Sequence, residues 1–180
     1  MGSGQTMLTA AFFVLVTVAV MNANRMVIDS QATYYEQVAL EQGTGFANSL
    51  LQEILTKKFD SQANYSTYMH TWEFDGPSSL GPSTAARNRI SPWPDVEPYK
   101  TVQGTNGNYY DDVDDYNGYE RTVNSVDIKG FHLKVSVYYV SKSAPDVAYW
   151  TSTYFKRIDV SVDHPVYLQQ KITVSGLAAY

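Results

Sequence analysis

The chain is 180 residues long, carries 13 Lys and Arg against 18 Asp and Glu, and has a formal charge of −5 with a pI near 5.0. That balance, with no Lys/Arg cluster to meet a phosphate backbone, excludes nucleic-acid binding, and the absence of cysteine excludes disulfides, thiolate nucleophiles and Cys-ligated metals. The length suits one domain with a modest core, and 15 tyrosines lift the aromatic share to 14% while charged residues stay at 17%.

No ionisable side chain occurs between Met1 and Asn24; the first is Arg25. Inside this stretch the run from Met7 to Met21, MLTAAFFVLVTVAVM, is broken only by Thr9 and Thr17. At 1.5 Å per residue it would span about 22 Å, short of the ~30 Å hydrocarbon core unless its neutral flanks contribute. A secretory signal peptide fits poorly. MGSGQT lacks a basic residue, and Met21-Asn22-Ala23 is a weak match to a cleavage site. Two other readings compete with it, a simple membrane anchor and an apolar helix that leaves a membrane to enter the core of a protein filament.

From Arg25 to Lys58 the pattern is helical. Apolar residues recur at Val27, Tyr34, Val38, Phe46, Leu50 and Ile54, with Ala47, Leu51 and Leu55 in a second row beside them, and no proline precedes Pro77. Helix formers fill the other face, among them Glu36, Glu41, Gln52, Glu53 and Lys57, with Glu53 and Lys57 at i,i+4. Gly43 and Gly45 predict either a bend or close approach by a neighbour. An unbroken helix from Gln5 to Lys58 would measure roughly 80 Å. A head of about 120 residues is only ~35–40 Å across, so the apolar half is expected to project. An uncharged projection needs lipid or copies of itself around it.

Beyond Lys58 the composition turns to loop and strand. Asn64-Tyr65-Ser66 fits a glycosylation sequon, and the stretch from Gly76 to Gly118 holds five of the seven prolines. It reads as a long loop anchored by Trp72, Phe74, Trp93 and Tyr99. Strict alternation marks a strand through Phe131, Leu133, Val135, Val137 and Tyr139. Lys129-Gly130 turns it back on a strand over 121–128. Ser141 to Asp146, with Pro145, leads to a third over 148–162, and residues 166–174 supply a fourth. The predicted fold class is α+β: a long N-terminal helix (1–58) and a head (59–180) built on an antiparallel meander.

Four carboxylates lie within five residues at Asp111, Asp112, Asp114 and Asp115, followed by Asn117-Gly118. Clustered hard oxygens in a turn-prone segment make these residues and Asn117 candidate calcium ligands. The run departs from the EF-hand template, since position five from Asp112 is Tyr116. The alternative is a solvated loop whose aspartates cap turns. His70, His132 and His164 are dispersed and suit solvent or turn positions. No H-E-x-x-H, G-x-S-x-G or Walker pattern occurs, so enzymatic activity is not expected.

An uncharged N-terminal helix that continues into an amphipathic half and then a β-rich head resembles the type IV pilin and type II secretion pseudopilin family. The resemblance implies a prepilin cleaved after a glycine and N-methylated by a prepilin peptidase, then drawn from the inner membrane into a helical homopolymer by pilus assembly machinery. It implies a filament core of Met7, Leu8, Ala11, Phe12, Phe13, Val14, Leu15, Val16, Val18, Val20 and Met21, with loosening near Asn22–Asn24. The family places a glutamate fifth in the mature chain to meet the neighbour's terminal amine. Gln5 or Thr9 stands there in this sequence, depending on where maturation begins, and neither is ionic. Related pseudopilins carry a calcium loop in this part of the head, and many major pilins fasten the head's end with a cysteine pair that is missing here. The implied location is a cell-surface filament, with a membrane stage before assembly. A secretion pseudopilin and a signal-anchored envelope protein with a β-rich binding head are the alternatives.

Overall fold

A computed structural model describes residues 2–63, 68–81, 110 and 112–180. The sequon at Asn64, the proline-rich stretch from Pro82 to Tyr109 with Trp93 and Tyr99, and Asp111 lie outside the described residues. The fold is α+β: one long helix, α1 (Ser3–Leu55), followed by a five-stranded antiparallel sheet. The chain divides into two compact units at Ala39 and Leu40.

In the first unit α1 runs without a break through Asn22–Asn24. Every one of the predicted filament-core side chains is exposed, from Leu8 at 77% to Val16 at 42% among the large ones. The threonines make this run self-sufficient in hydrogen bonding. Thr9 Oγ1 donates to the Gln5 carbonyl at 2.8 Å and Thr17 Oγ1 to that of Phe13 at 2.8 Å. A hydroxyl bonded one turn back need not find water.

In the second unit the sheet order is β1 (Glu120–Asn124), β2 (Lys129–Ser141), β4 (Phe155–Asp163), β5 (Ile172–Ala179), with β3 (Ala144–Ala148) pairing β2 off this path. The alternation expected in β2 is observed, with Phe131, Val135 and Tyr139 fully buried. Ile158, Val160 and Val162 of β4 continue the same inner face and are also fully buried.

The remaining part of α1 packs on this face within the second unit. Ala47, Leu50, Leu51 and Ile54 are buried, and the Phe46 ring meets Phe131 edge-on at 5.4 Å between centroids. The helix continues through Gly43 without interruption. A Cβ there would lie 3.2 Å from Ile172 Cδ1 and 3.5 Å from Val162 Cγ1, so the glycine is a close-approach residue. On the sheet side Gly176 does the same for Leu51, whose Cδ1 would be 2.9 Å from an added Cβ.

Several expected boundaries are corrected. The helix ends at Leu55 rather than Lys58, where Thr56 and Lys57 close it with three-residue turns to Glu53 and Ile54. Residues 144–148 form a strand that, among the described residues, pairs with β2 alone, so Pro145 can sit in it without supplying a ladder donor on its other side. The expected strand over 166–174 begins instead at Ile172. His164 organises the preceding residues into a turn, accepting from Val166 N at 3.2 Å and Tyr167 N at 3.1 Å through Nδ1. Its Nε2 therefore carries the proton and donates to the Lys129 carbonyl at 2.9 Å. His164 is only 4% exposed, a buried turn residue rather than a solvated one.

Candidate functional site

The inner row of β4 reads Lys156, Ile158, Val160, Val162, so strand alternation places a lysine where an apolar residue is expected. Lys156 is completely buried. A buried ammonium must be paired and hydrogen-bonded to be tolerated, and the residues that do this come from two chain segments laid side by side. After α1 the chain passes through Lys58, which forms a parallel bridge with Asp112, and the Lys58 carbonyl accepts from Val113 N at 2.9 Å. That pairing brings Phe59 and Asp60 next to the 3-10 turn Asp114–Tyr116.

Lys156 Nζ donates to Asp114 Oδ1 at 2.7 Å, to the Phe59 carbonyl at 2.7 Å and to Asp60 Oδ2 at 3.3 Å. Its remaining surroundings are aromatic. Nζ lies 4.5 Å from the Phe59 ring centre and 5.2 Å from that of Tyr139, within cation–π range. Asp60 is fully buried and is also a backbone cap, accepting from Gln62 N through Oδ1 and from Asp75 N through Oδ2, both at 3.0 Å. Tyr139 reaches over to donate to the Asp75 carbonyl at 2.7 Å.

Asp112 stands behind Asp114. Its Oδ1 accepts from Asp115 N at 3.1 Å, and its carboxyl hydrogen-bonds that of Asp114. Burial first, and then the charges of Asp114 and Asp115, push its pKa up to about 9. It therefore holds its proton at neutral pH and donates to Asp114. Asp75, half-buried, is shifted upward by burial and by the charges of Asp60 and Asp114, against a lowering by Lys156.

The acidic run is thus not a solvated loop. Asp112, Asp114 and Asp115 are buried, and each described member of the calcium candidate set has another engagement. Asp114 faces Lys156, Asp112 supports Asp114 and Asp115, and Asn117 clips two segments by donating to the Leu80 carbonyl at 3.3 Å and accepting from Val137 N at 3.0 Å. The carboxylates of Asp60, Asp75 and Asp114 converge within 4.8 Å. The positive charge at that convergence is the Lys156 ammonium, which contacts two of the three.

Of the expected loop anchors, Phe74 is buried with Phe59, Leu80 and Tyr139, whereas Trp72 is 75% exposed and stacks on His70 at 4.0 Å. His132 is half-buried on β2 opposite Asp163. The sequence reading missed Lys156, Phe59 and Asp60. The signal was available for the lysine, since the alternation at Ile158, Val160 and Val162 extends back two residues onto it.

Among the described residues one helix, α1, is long and apolar enough to cross a membrane. Compared with known proteins, the chain matches no protein-family model, no curated protein and no solved structure.

Proposed function

We propose that the protein is a structural subunit that polymerises through the apolar part of α1 into a type IV pilus-like filament at the cell surface, after residence in the inner membrane. The observation that carries this reading is the uncharged run from Met7 to Met21, whose large side chains are all exposed on one continuous helix. Burying such a side chain away from water is worth about 1.5–3 kcal/mol. Copies of the same helix offer that burial with side-chain interdigitation that lipid lacks. Repetition of one heterologous contact yields an open helical fibre rather than a closed ring. Gln5 and Thr9 are the groups available to a neighbour's terminal amine. Thr9 spends its proton on the Gln5 carbonyl and keeps its oxygen free to accept.

The test is electron microscopy of sheared cell-surface material, with the mass of the mature N-terminal peptide to locate cleavage and methylation. Long fibres containing this chain support the proposal. Membrane-bound chain without fibres transfers the reading to an anchored envelope protein, for which α1 is also sufficient, and short periplasmic fibres transfer it to a secretion pseudopilin. Val14→Asp or Val18→Asp is expected to abolish fibres while leaving the near-UV circular dichroism of the head unchanged; normal fibres from either variant contradict the mechanism.

A further inference from the structure

A lysine amine and an aspartate carboxyl held together in a dry site can do more than attract one another. Their ion pair and their amide differ by one water molecule, and what normally prevents condensation is solvent, which stabilises the charges and reverses the bond. Lys156 is shielded from that solvent by burial. Lys156 and Asp60 side chains are fully buried and that of Asp114 is 3% exposed, with the Phe59 and Tyr139 rings covering the nitrogen.

We propose that Lys156 and Asp114 form an intramolecular isopeptide bond between Nζ and Cγ. The hydrogen bond of 2.7 Å to Oδ1 holds the nitrogen beside the carboxyl group whose carbon it attacks, and fixing the two reactants side by side lowers the entropic part of the barrier.

The neighbours supply the proton transfers. Asp60 Oδ2, at 3.3 Å from Nζ, takes one proton from the ammonium and frees the lone pair. The nitrogen adds to Asp114 Cγ as Asp112 passes its proton to the Asp114 oxygen. The Cγ–O bond then breaks with that oxygen leaving as water, taking the proton held on Asp60, while the nitrogen's surplus proton restores Asp112. The net reaction is ammonium plus carboxylate to amide plus water. Two of the three ammonium protons depart in the water, Asp60 and Asp112 end as they began, and no oxidant or cofactor is needed.

The product fits the same site. Its N–H is left facing the Phe59 carbonyl, which already accepts from Nζ at 2.7 Å, and the oxygen it keeps is the one that Asp112 did not protonate. Asp114 is the partner rather than Asp60 because Asp60 uses both oxygens as backbone caps and lies further from Nζ. Asp112 is then a catalytic acid, and its elevated pKa supplies the proton at neutral pH.

The test is mass spectrometry on the denatured full chain, independent of whether it forms fibres. The expected result is a mass 18 Da below that of the unlinked chain and, after trypsin, one branched peptide joining the segments that contain Asp114 and Lys156, uncut after Lys156. Lys156→Arg and Asp114→Ala are expected at the unlinked mass without the branched peptide. Asp112→Asn, which keeps the hydrogen bond but carries no transferable proton, is expected to accumulate the branched peptide at least tenfold more slowly. A wild-type chain at full mass, ordinary cleavage after Lys156, or a loss of 18 Da without the branched peptide overturns the proposal.

Discussion

Gly176 is the point at which β5 gives way to α1. A Cβ at this position would lie 2.9 Å from Leu51 Cδ1, 3.3 Å from Cδ2 and 3.4 Å from Cγ. The first is closer than packed carbons tolerate, and Leu51, only 5% exposed, has little room to withdraw. Gly176→Ala is therefore expected to cost about 1–3 kcal/mol through overpacking. At about 3–4 °C per kcal/mol for a unit of this size, that lowers the melting temperature by roughly 3–12 °C. Leu51→Ala alone should cost about 2–5 kcal/mol by leaving a cavity. In the Leu51→Ala background the same Gly176→Ala change has no methyl groups to strike and fills part of the space, so its cost should fall to about zero. Urea unfolding of the four full-length chains in mild detergent, followed by near-UV circular dichroism, gives the coupling energy, expected at about 1–3 kcal/mol. Additivity within ~0.5 kcal/mol would refute the claim that glycine at this position seats the helix.

Two further expectations concern the polar groups. His164→Ala removes the acceptor for Val166 N and Tyr167 N and the donor to Lys129 O, and should cost about 1–3 kcal/mol in urea unfolding; His164→Asn, whose side-chain oxygen can still cap Val166 N, should recover part of it. Asp112 gives a pH signature. Its folded pKa is raised to about 9, mainly by burial, from an unfolded value near 3.8. Between those values the folded chain holds a proton that the unfolded chain has released, so stability falls as pH rises, by up to ~1.4 kcal/mol per unit. Asp112→Asn should flatten that slope between pH 5 and 8, and an unchanged slope in the variant would show that Asp112 is ionised in the folded state.

What the sequence disclosed follows from which forces act locally. The alternation of β2 from Phe131 to Tyr139 and the helical rows through Leu50 and Ile54 are direct imprints of burial on one face, and both are found in the structure. Strand β3 was obscured because Pro145 reads as a breaker unless one knows that its strand lies off the main path of the sheet. The start of β5 was displaced because the turn after His164 is set by a histidine side chain capping two backbone N–H groups, a contact with no propensity signature. The site was half legible. The acidic run stood out by composition, but its partner is a single lysine 42 residues further on, and no local pattern links the two. The alternation of β4, carried back two residues from Ile158, turns that lysine inward, where it lies opposite Tyr139 of β2.

The position of the cluster explains why so costly an arrangement would be kept. Removing one partner of a buried ion pair costs about 3–5 kcal/mol, yet an apolar replacement of the whole group is often neutral or better. Stability alone therefore does not account for a lysine at this place. The cluster instead ties the chain four and five residues after α1 ends, at Phe59 and Asp60, to the sheet through Lys156 and to the 3-10 turn through Asp114. In the filament proposed above, with subunits gripped by α1, tension would reach the head at that junction. A chain without cysteine has no disulfide to hold it. Hydrogen bonds and packing yield under sustained load at a rate set by the unfolding barrier, whereas an amide yields only to bond cleavage. Cross-linking Asp114 to Lys156 would close a loop of about 43 residues and, on the chain-entropy account, raise stability by about 4 kcal/mol. Wild-type chain should accordingly unfold more slowly than Lys156→Arg, which keeps the positive charge but has no nucleophilic amine, in a protease-susceptibility assay at constant temperature. Equal rates would mean that the junction is held by the ion pair alone.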